Sequence, residues 1–96
     1  MTIICEHLKG LYTAIVTPFT SDGRVDIEAL QALTRFQISA GVSGIVPIGG
    51  TGEYPALSRR ERRDIVAACV DAADGTPVIP GILATGYEDA LEAAID

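Results

Sequence analysis

The residues best equipped to do chemistry stand together in Val46-Pro47-Ile48-Gly49-Gly50-Thr51-Gly52-Glu53-Tyr54-Pro55-Ala56-Leu57-Ser58. Gly49, Gly50 and Gly52 admit positive φ and put no Cβ in the path of a ligand. Successive N–H groups in such a turn can converge on an anion, and a carboxylate is the class of guest they suit. The flanks place this turn. Gly44-Ile45-Val46-Pro47-Ile48 is a short apolar run that reads as a buried strand. Ser58 with Glu61 three residues later is a capping box and marks a helix start. The turn therefore sits at the carboxyl end of a strand, where α/β folds bind ligands. Its competing reading is a tight βα turn that binds nothing, and glycine content alone does not separate the two.

The elements that must hold this turn follow in order. Met1 to Lys9 is a lead-in anchored by Leu8, and Gly10-Leu11-Tyr12-Thr13-Ala14-Ile15-Val16-Thr17 is the first strand, ended by Pro18. Phe19 to Val25 is a loop turning at Ser21-Asp22-Gly23. Asp26 caps a helix to about Ala40, with Ile27, Leu30, Leu33, Phe36 and Ala40 as its apolar stripe and Gly41 as its left-handed stop. The helix from Ser58 buries Ile65, Val66, Cys69, Val70 and Ala73, and Asp74-Gly75 closes it. Val78 to Leu83 is a third strand bent by Pro80 and Gly81. Thr85 with Glu88 repeats the capping box, and Ala90, Leu91, Ala94 and Ile95 open a third helix that stops at Asp96 without a terminator.

The order is βαβαβα, at a nearly constant repeat: Ile15 to Ile48 is 33 positions and Ile48 to Ile82 is 34. Strands joined through helices are parallel, with right-handed crossovers. Apolar parallel strands need cover on both faces, which three units do not supply. Residues 1–96 thus read as α/β, the first three βα units of a (β/α)8 TIM barrel, for which roughly 250 residues is usual. A doubly wound open sheet is the alternative, disfavoured because neither G-x-G-x-x-G nor the Walker pattern occurs.

Composition excludes several classes. Hydrophobic residues make up 48% of the chain and charged ones 21%, which fits a globular core and not a disordered segment. A net charge of −6, with only Arg59, Arg60, Arg62 and Arg63 clustered, disfavours nucleic-acid binding. Four cations at a helix start oppose its dipole and call for acidic neighbours or a subunit contact. Cys5 and Cys69 lack metal-ligand spacing, and His7 is the sole histidine, so no metal site is expected. Two thiols without a secretory segment suit a cytoplasmic protein. No run reaches the roughly 18 apolar residues of a membrane helix.

With these residues in place, the chain resembles the amino-terminal third of the dihydrodipicolinate synthase / N-acetylneuraminate lyase family, class I aldolase-type barrels. The matching features are Gly10 through Ala14 to Thr17-Pro18-Phe19, Asp22-Gly23-x-Val25-Asp26, Gly41-Val42-x-Gly44, Gly49-Gly50-Thr51-Gly52-Glu53 with Leu57-Ser58-x-x-Glu61-Arg62, and Pro77-Val78-Ile79-x-Gly81. The resemblance implies a lyase that joins an active-site lysine to pyruvate or a related 2-oxo acid as a Schiff base. It implies that the Gly50 N–H and the Thr51 N–H and hydroxyl seat the substrate carboxylate, with Gly49, Gly52 and Glu53 supporting the loop. The reacting lysine and a catalytic tyrosine are expected beyond Asp96, because Lys9 precedes the first strand and lies at the opposite rim. A homo-oligomer, typically a tetramer, and no dissociable cofactor or metal are also implied.

Two departures qualify the resemblance. Gly50 stands where most synthases and lyases carry a hydroxyl that relays a proton, which keeps sugar-acid dehydratases or aldolases of the same family as an alternative. Tyr54, Pro55, Arg59, Arg62 and Thr85 replace the usual polar set of the lysine-feedback pocket, so feedback by lysine is not expected. Tyr54 reads as a packing residue, Tyr87 as a surface or subunit contact. Glu53 reads as an acceptor for the loop's own N–H groups. From another class, a non-catalytic anion-binding or assembly fragment stays open.

Overall fold

The computed structural model describes residues 8–96; Cys5 and His7 lie outside the described residues. Within them the order is β1 (Tyr12–Ala14), α1 (Ile27–Ser39), β2 (Gly44–Val46), a 3-10 turn (Tyr54–Ala56), α2 (Arg59–Ala73) and α3 (Tyr87–Ile95). β1 and β2 pair in parallel, Tyr12 opposite Gly44 and Ala14 opposite Val46. The ring of Tyr12 occupies the space a Gly44 side chain would need, so this register admits only glycine there.

The expected third strand is present only as one parallel bridge, Ile45 to Val78. Its hydrogen bonds explain why. Ile45 N–H donates to Pro77 O at 3.0 Å, Ile79 N–H to Ile45 O at 2.9 Å, and Gly81 N–H to Pro47 O at 3.0 Å. The missing rung would come from residue 47, and proline has no N–H to give. The segment runs alongside β2 as a parallel neighbour with its ladder interrupted.

Both predicted caps of the first two helices form. Asp26 accepts from Ala29 N–H, and Ser58 and Glu61 make the reciprocal capping box. Gly41 (φ +103°) and Asp74 (φ +47°) supply the left-handed residues beyond α1 and α2. The Thr85 cap does not form: α3 starts one residue later than a Thr85 cap requires, behind Gly86, which has no side chain to cap with.

One core joins the sheet to α1 and α2. Ile15, Leu30, Ile45, Ile48, Leu57, Ile65 and Cys69 are buried together, with Val25, Ile27, Leu33 and Val78 packed around them. Three residues of the expected apolar stripes are instead exposed, Phe36 (66%), Val70 (55%) and Ala40, while Thr34 is fully buried. Helical phase accounts for this. A run spaced by three drifts about 60° around the helix at each step, which carries Phe36 about 120° from Leu30. Thr34, at i+4 from Leu30, stays on the buried face. Its hydroxyl donates to Leu30 O at 2.9 Å, which satisfies it inside the core.

Strand alternation gives the sheet two unequal faces. Ile15 and Thr17 are buried towards the helices, whereas Ala14 and Val16 on the other face are exposed. Among the described residues nothing covers that second face, as the sequence expectation for three units requires. No helix among them is long and apolar enough to cross a membrane.

The basic cluster finds an acidic partner. Arg59 and Arg63 both pair with Asp96 at the end of α3. Arg62 donates to Leu57 O at 2.8 Å and lies over the Tyr54 ring, 4.6 Å from its centroid. Hydrogen bonds from Arg59 and Arg63 hold the Asp96 carboxyl well below the ordinary carboxylate range. A depressed folded pKa stabilises the contact above the unfolded value near about 4 and loses it as pH falls further. The side-chain carboxyl carbon shift of Asp96 is therefore expected to hold its ionised value from about pH 8 to well below about pH 4, where an unpaired aspartate has protonated. Arg63→Gln, which removes one of the two partners, should move its protonation up towards the ordinary aspartate range. Burial raises the Cys69 thiol, so peptide mapping after alkylation at neutral pH should find Cys69 unmodified until the protein is unfolded.

Candidate functional site

The turn after β2 leaves the sheet at Ile48, which adopts φ +50°. For a β-branched residue this is a true outlier, costing about 1–3 kcal/mol. Ile48 is nevertheless only 5% exposed, and burying its side chain contributes about 1.5–3 kcal/mol. Packing of the side chain thus offsets the strain of the backbone. Gly49, Gly50 and Gly52 admit positive φ but do not use it: the left-handed residues are Ile48 and Glu53 (φ +64°), which bracket the glycines.

What the glycines supply is room, and only in part. A Cβ on Gly52 would stand 2.9 Å from Ile48 N and 3.2 Å from Ile15 O, and one on Gly81 would stand 2.8 Å from Gly49 Cα. The turn is therefore wedged between the end of β1 and the Pro80-Gly81 segment. Gly49 and Gly50, by contrast, face open space, with no neighbour within 4 Å of the position a Cβ would take.

The loop closes on itself through its last two amides. Glu53 N–H donates to Gly50 O at 3.1 Å and Tyr54 N–H to Gly49 O at 3.2 Å. Among the described residues, the amides of Gly49, Gly50, Thr51 and Gly52 donate to no protein acceptor. Gly50 and Thr51 are exposed and Gly52 is buried. The two positions expected to hold a carboxylate thus present uncommitted N–H groups at the carboxyl end of a parallel strand. Glu53 supports the loop through its main chain; its exposed side chain makes no cap hydrogen bond, since the left-handed backbone carries it away from the amides.

One contributor stood in a matching motif, Thr17-Pro18-Phe19, with no role in the site assigned to it. Thr17, 5% exposed, donates its hydroxyl to Gly52 O at 2.6 Å. The available signal was a threonine on the helix-facing register that continues from β1, where Ile15 two residues earlier is apolar. The other expected residues fall elsewhere. Tyr54 is buried beneath Arg62 and packs, and Tyr87 is 80% exposed at the first position of α3. Lys9 precedes β1 and so lies at the opposite end of the parallel pair from the turn. The described residues hold no cluster of three or more potential metal ligands.

A cavity of about 700 Å³ lies behind the turn, between α2, α3 and Pro80–Ala84; Ile48, Tyr54, Arg59, Arg62 and Asp89 are among its lining. Of the residues at the positions of a lysine-feedback pocket, Tyr54, Arg59 and Arg62 line it, and Pro55 and Thr85 do not. It is backed by the turn but does not open on the Gly50 and Thr51 amides, so it is a separate space from the candidate carboxylate seat.

Comparison with known proteins agrees with this geometry. The profile of the dihydrodipicolinate synthetase family matches residues 7–96. The 4-hydroxy-tetrahydrodipicolinate synthase of Sorangium cellulosum is 48% identical over 89 residues, covering 91% of this chain and 30% of the relative. The crystal structure of the chloride-inhibited dihydrodipicolinate synthase from Acinetobacter baumannii complexed with pyruvate superposes with a TM-score of 0.86 at 34% identity, over 90% of this chain and 30% of that one. N-acetylneuraminate lyase from Mycoplasma synoviae superposes with a TM-score of 0.83 at 30% identity, over 94% of this chain and 32% of that one. The chain spans about a third of the length of the relatives it matches. Its parallel α/β arrangement is that of the amino-terminal part of their TIM barrels, and the chain belongs to the dihydrodipicolinate synthetase family.

Proposed function

We propose that this chain contributes the carboxylate seat of a lyase that acts on pyruvate or a related 2-oxo acid through a lysine Schiff base. The observation that carries this reading is the pair of exposed, uncommitted amides at Gly50 and Thr51. Each hydrogen bond from such an amide to a carboxylate is worth about 1.5–3 kcal/mol. Two of them fix one end of a small acid and so orient its carbonyl. The Thr51 hydroxyl, exposed beside its own amide, is a third donor.

The chemistry that follows needs an amine. Attack of a neutral lysine on the 2-oxo carbon and loss of water form an iminium, which accepts electrons as a bond to the neighbouring carbon forms or breaks. Lys9 is at the far end of the strands from the seat, so the reacting lysine comes from residues other than 1–96. The names of the relatives favour condensation. Gly50 favours the alternative of a sugar-acid dehydratase or aldolase, because no hydroxyl at this position can pass a proton. That missing hydroxyl is not imposed by packing: the backbone of Gly50 does not need positive φ and its Cβ direction is open.

Borohydride reduction of the full native protein in the presence of pyruvate is expected to leave a covalent adduct on one lysine, read by mass spectrometry. Absence of an adduct at saturating pyruvate removes the Schiff-base reading. The 96-residue chain by itself should give no adduct. Gly50→Ser is expected to change the unfolding free energy by no more than about 0.5 kcal/mol in urea titrations, as at an unhindered surface site.

A further inference from the structure

The carboxylate seat is built from main chain, so whatever fixes the path of the loop fixes the seat. Two of its constraints are packing: Ile48 anchors one end in the core, and Gly52 is pressed against Ile48 N and Ile15 O. Besides the loop's own two hydrogen bonds, a third constraint is a directed bond from another element. Thr17 Oγ1 donates to Gly52 O at 2.6 Å, in a buried setting and across 35 positions of sequence. It is the hydrogen bond by which the end of β1 holds the loop after β2, and it acts on the residue directly after Thr51.

A carbonyl bound on the inner side of a peptide unit fixes the plane of that unit. Gly52 O belongs to the Gly52–Glu53 peptide, two peptide units beyond the one that carries the Thr51 N–H. The N–H of the same peptide, that of Glu53, donates to Gly50 O at 3.1 Å, so the unit is pinned on one side by Thr17 and on the other by the Gly50–Thr51 peptide. Without it, Gly52 O is a buried acceptor lacking a partner, and the loop gains by turning it towards water. Such a turn bends the Glu53 N–H bond to Gly50 O and so frees the Gly50–Thr51 peptide, whose N–H is that of Thr51.

We propose that Thr17 is a positioning residue for the carboxylate seat: its hydroxyl clamps Gly52 O and thereby keeps the Gly50 and Thr51 amides turned outward, opposite the Gly49 and Gly50 carbonyls bonded inside the loop. This rests on the reading of the turn as a carboxylate seat. Thr17 touches no substrate, so its loss weakens binding of the acid without changing the chemistry of the amine.

The test uses the full native protein and the rate of borohydride trapping as a function of pyruvate concentration. Thr17→Val, which keeps the shape and removes the donor, is expected to raise the half-saturating pyruvate concentration by about tenfold while the maximal trapping rate changes by less than about twofold. Thr17→Ser should restore the wild-type value. Thr34→Val, which removes an equally buried hydroxyl bonded to Leu30 O on α1, should leave half-saturation unchanged and so separates positioning from general loss of stability. Amide hydrogen exchange of residues 49–53 should accelerate in Thr17→Val and not in Thr34→Val. If Thr17→Val does not fold, Thr17→Cys, a weaker donor, should lie between Ser and Val. A wild type that forms no adduct sinks the reading of the site. A wild type that saturates, with Thr17→Val or Thr17→Cys half-saturating at the same concentration, overturns the role of Thr17 alone.

Discussion

The chain leaves β2 by a left-handed step at Ile48, and the rest of the site depends on that step being held. A β-branched residue in this conformation is unfavourable by itself. It persists because the Ile48 side chain is sunk into the core formed by Ile15, Ile45 and Leu57. The same core therefore stabilises the fold and sets the direction in which the Gly-rich turn departs. Any loosening around Ile48 would free the backbone that presents the Gly50 and Thr51 amides.

Neighbouring elements complete the brace. The end of β1 supplies Ile15 O and the Thr17 hydroxyl against Gly52, and Gly81 comes up against Gly49 from the other side. Pro47 has two effects here. It breaks the ladder between β2 and the Val78 segment, yet its carbonyl still accepts from Gly81 N–H and keeps that segment beside the turn. The result is a loop rigid at both ends and open at its tip, where nothing crowds Gly50. This is the arrangement a small anion needs: fixed donors with access from solvent.

The electrostatics are divided between the two sides of the turn. Behind it, Arg59 and Arg63 meet Asp96, and Arg62 covers Tyr54, so these cations at the start of α2 are engaged with partners. At the tip, the donors are neutral amides. The basic cluster that stood out in the sequence belongs to the contact between α2 and α3 and to the cavity they enclose, and the seat we propose would depend on main-chain dipoles.

Local chemistry was legible in the residue order. Asp26, Ser58 with Glu61, and Gly41 each act within a few residues of themselves, so their caps could be read directly and they form. The parallel α/β order followed from the alternation of apolar runs with helical stripes, and the place of the Gly-rich turn followed from that order. Three things were decided only by packing. Thr34, not Phe36, enters the core because the face of α1 that meets the sheet is centred on Leu30, and only the residue at i+4 stays on it. Ile48 and Glu53, not the glycines, carry the left-handed backbone, since the strain at Ile48 is tolerated where burial offsets it. Thr17 reaches Gly52 only once β1 and β2 lie side by side. Sequence determines what each segment can do alone; contacts between residues far apart in the chain decide which of those options is realised, because their energies exist only after the segments have met.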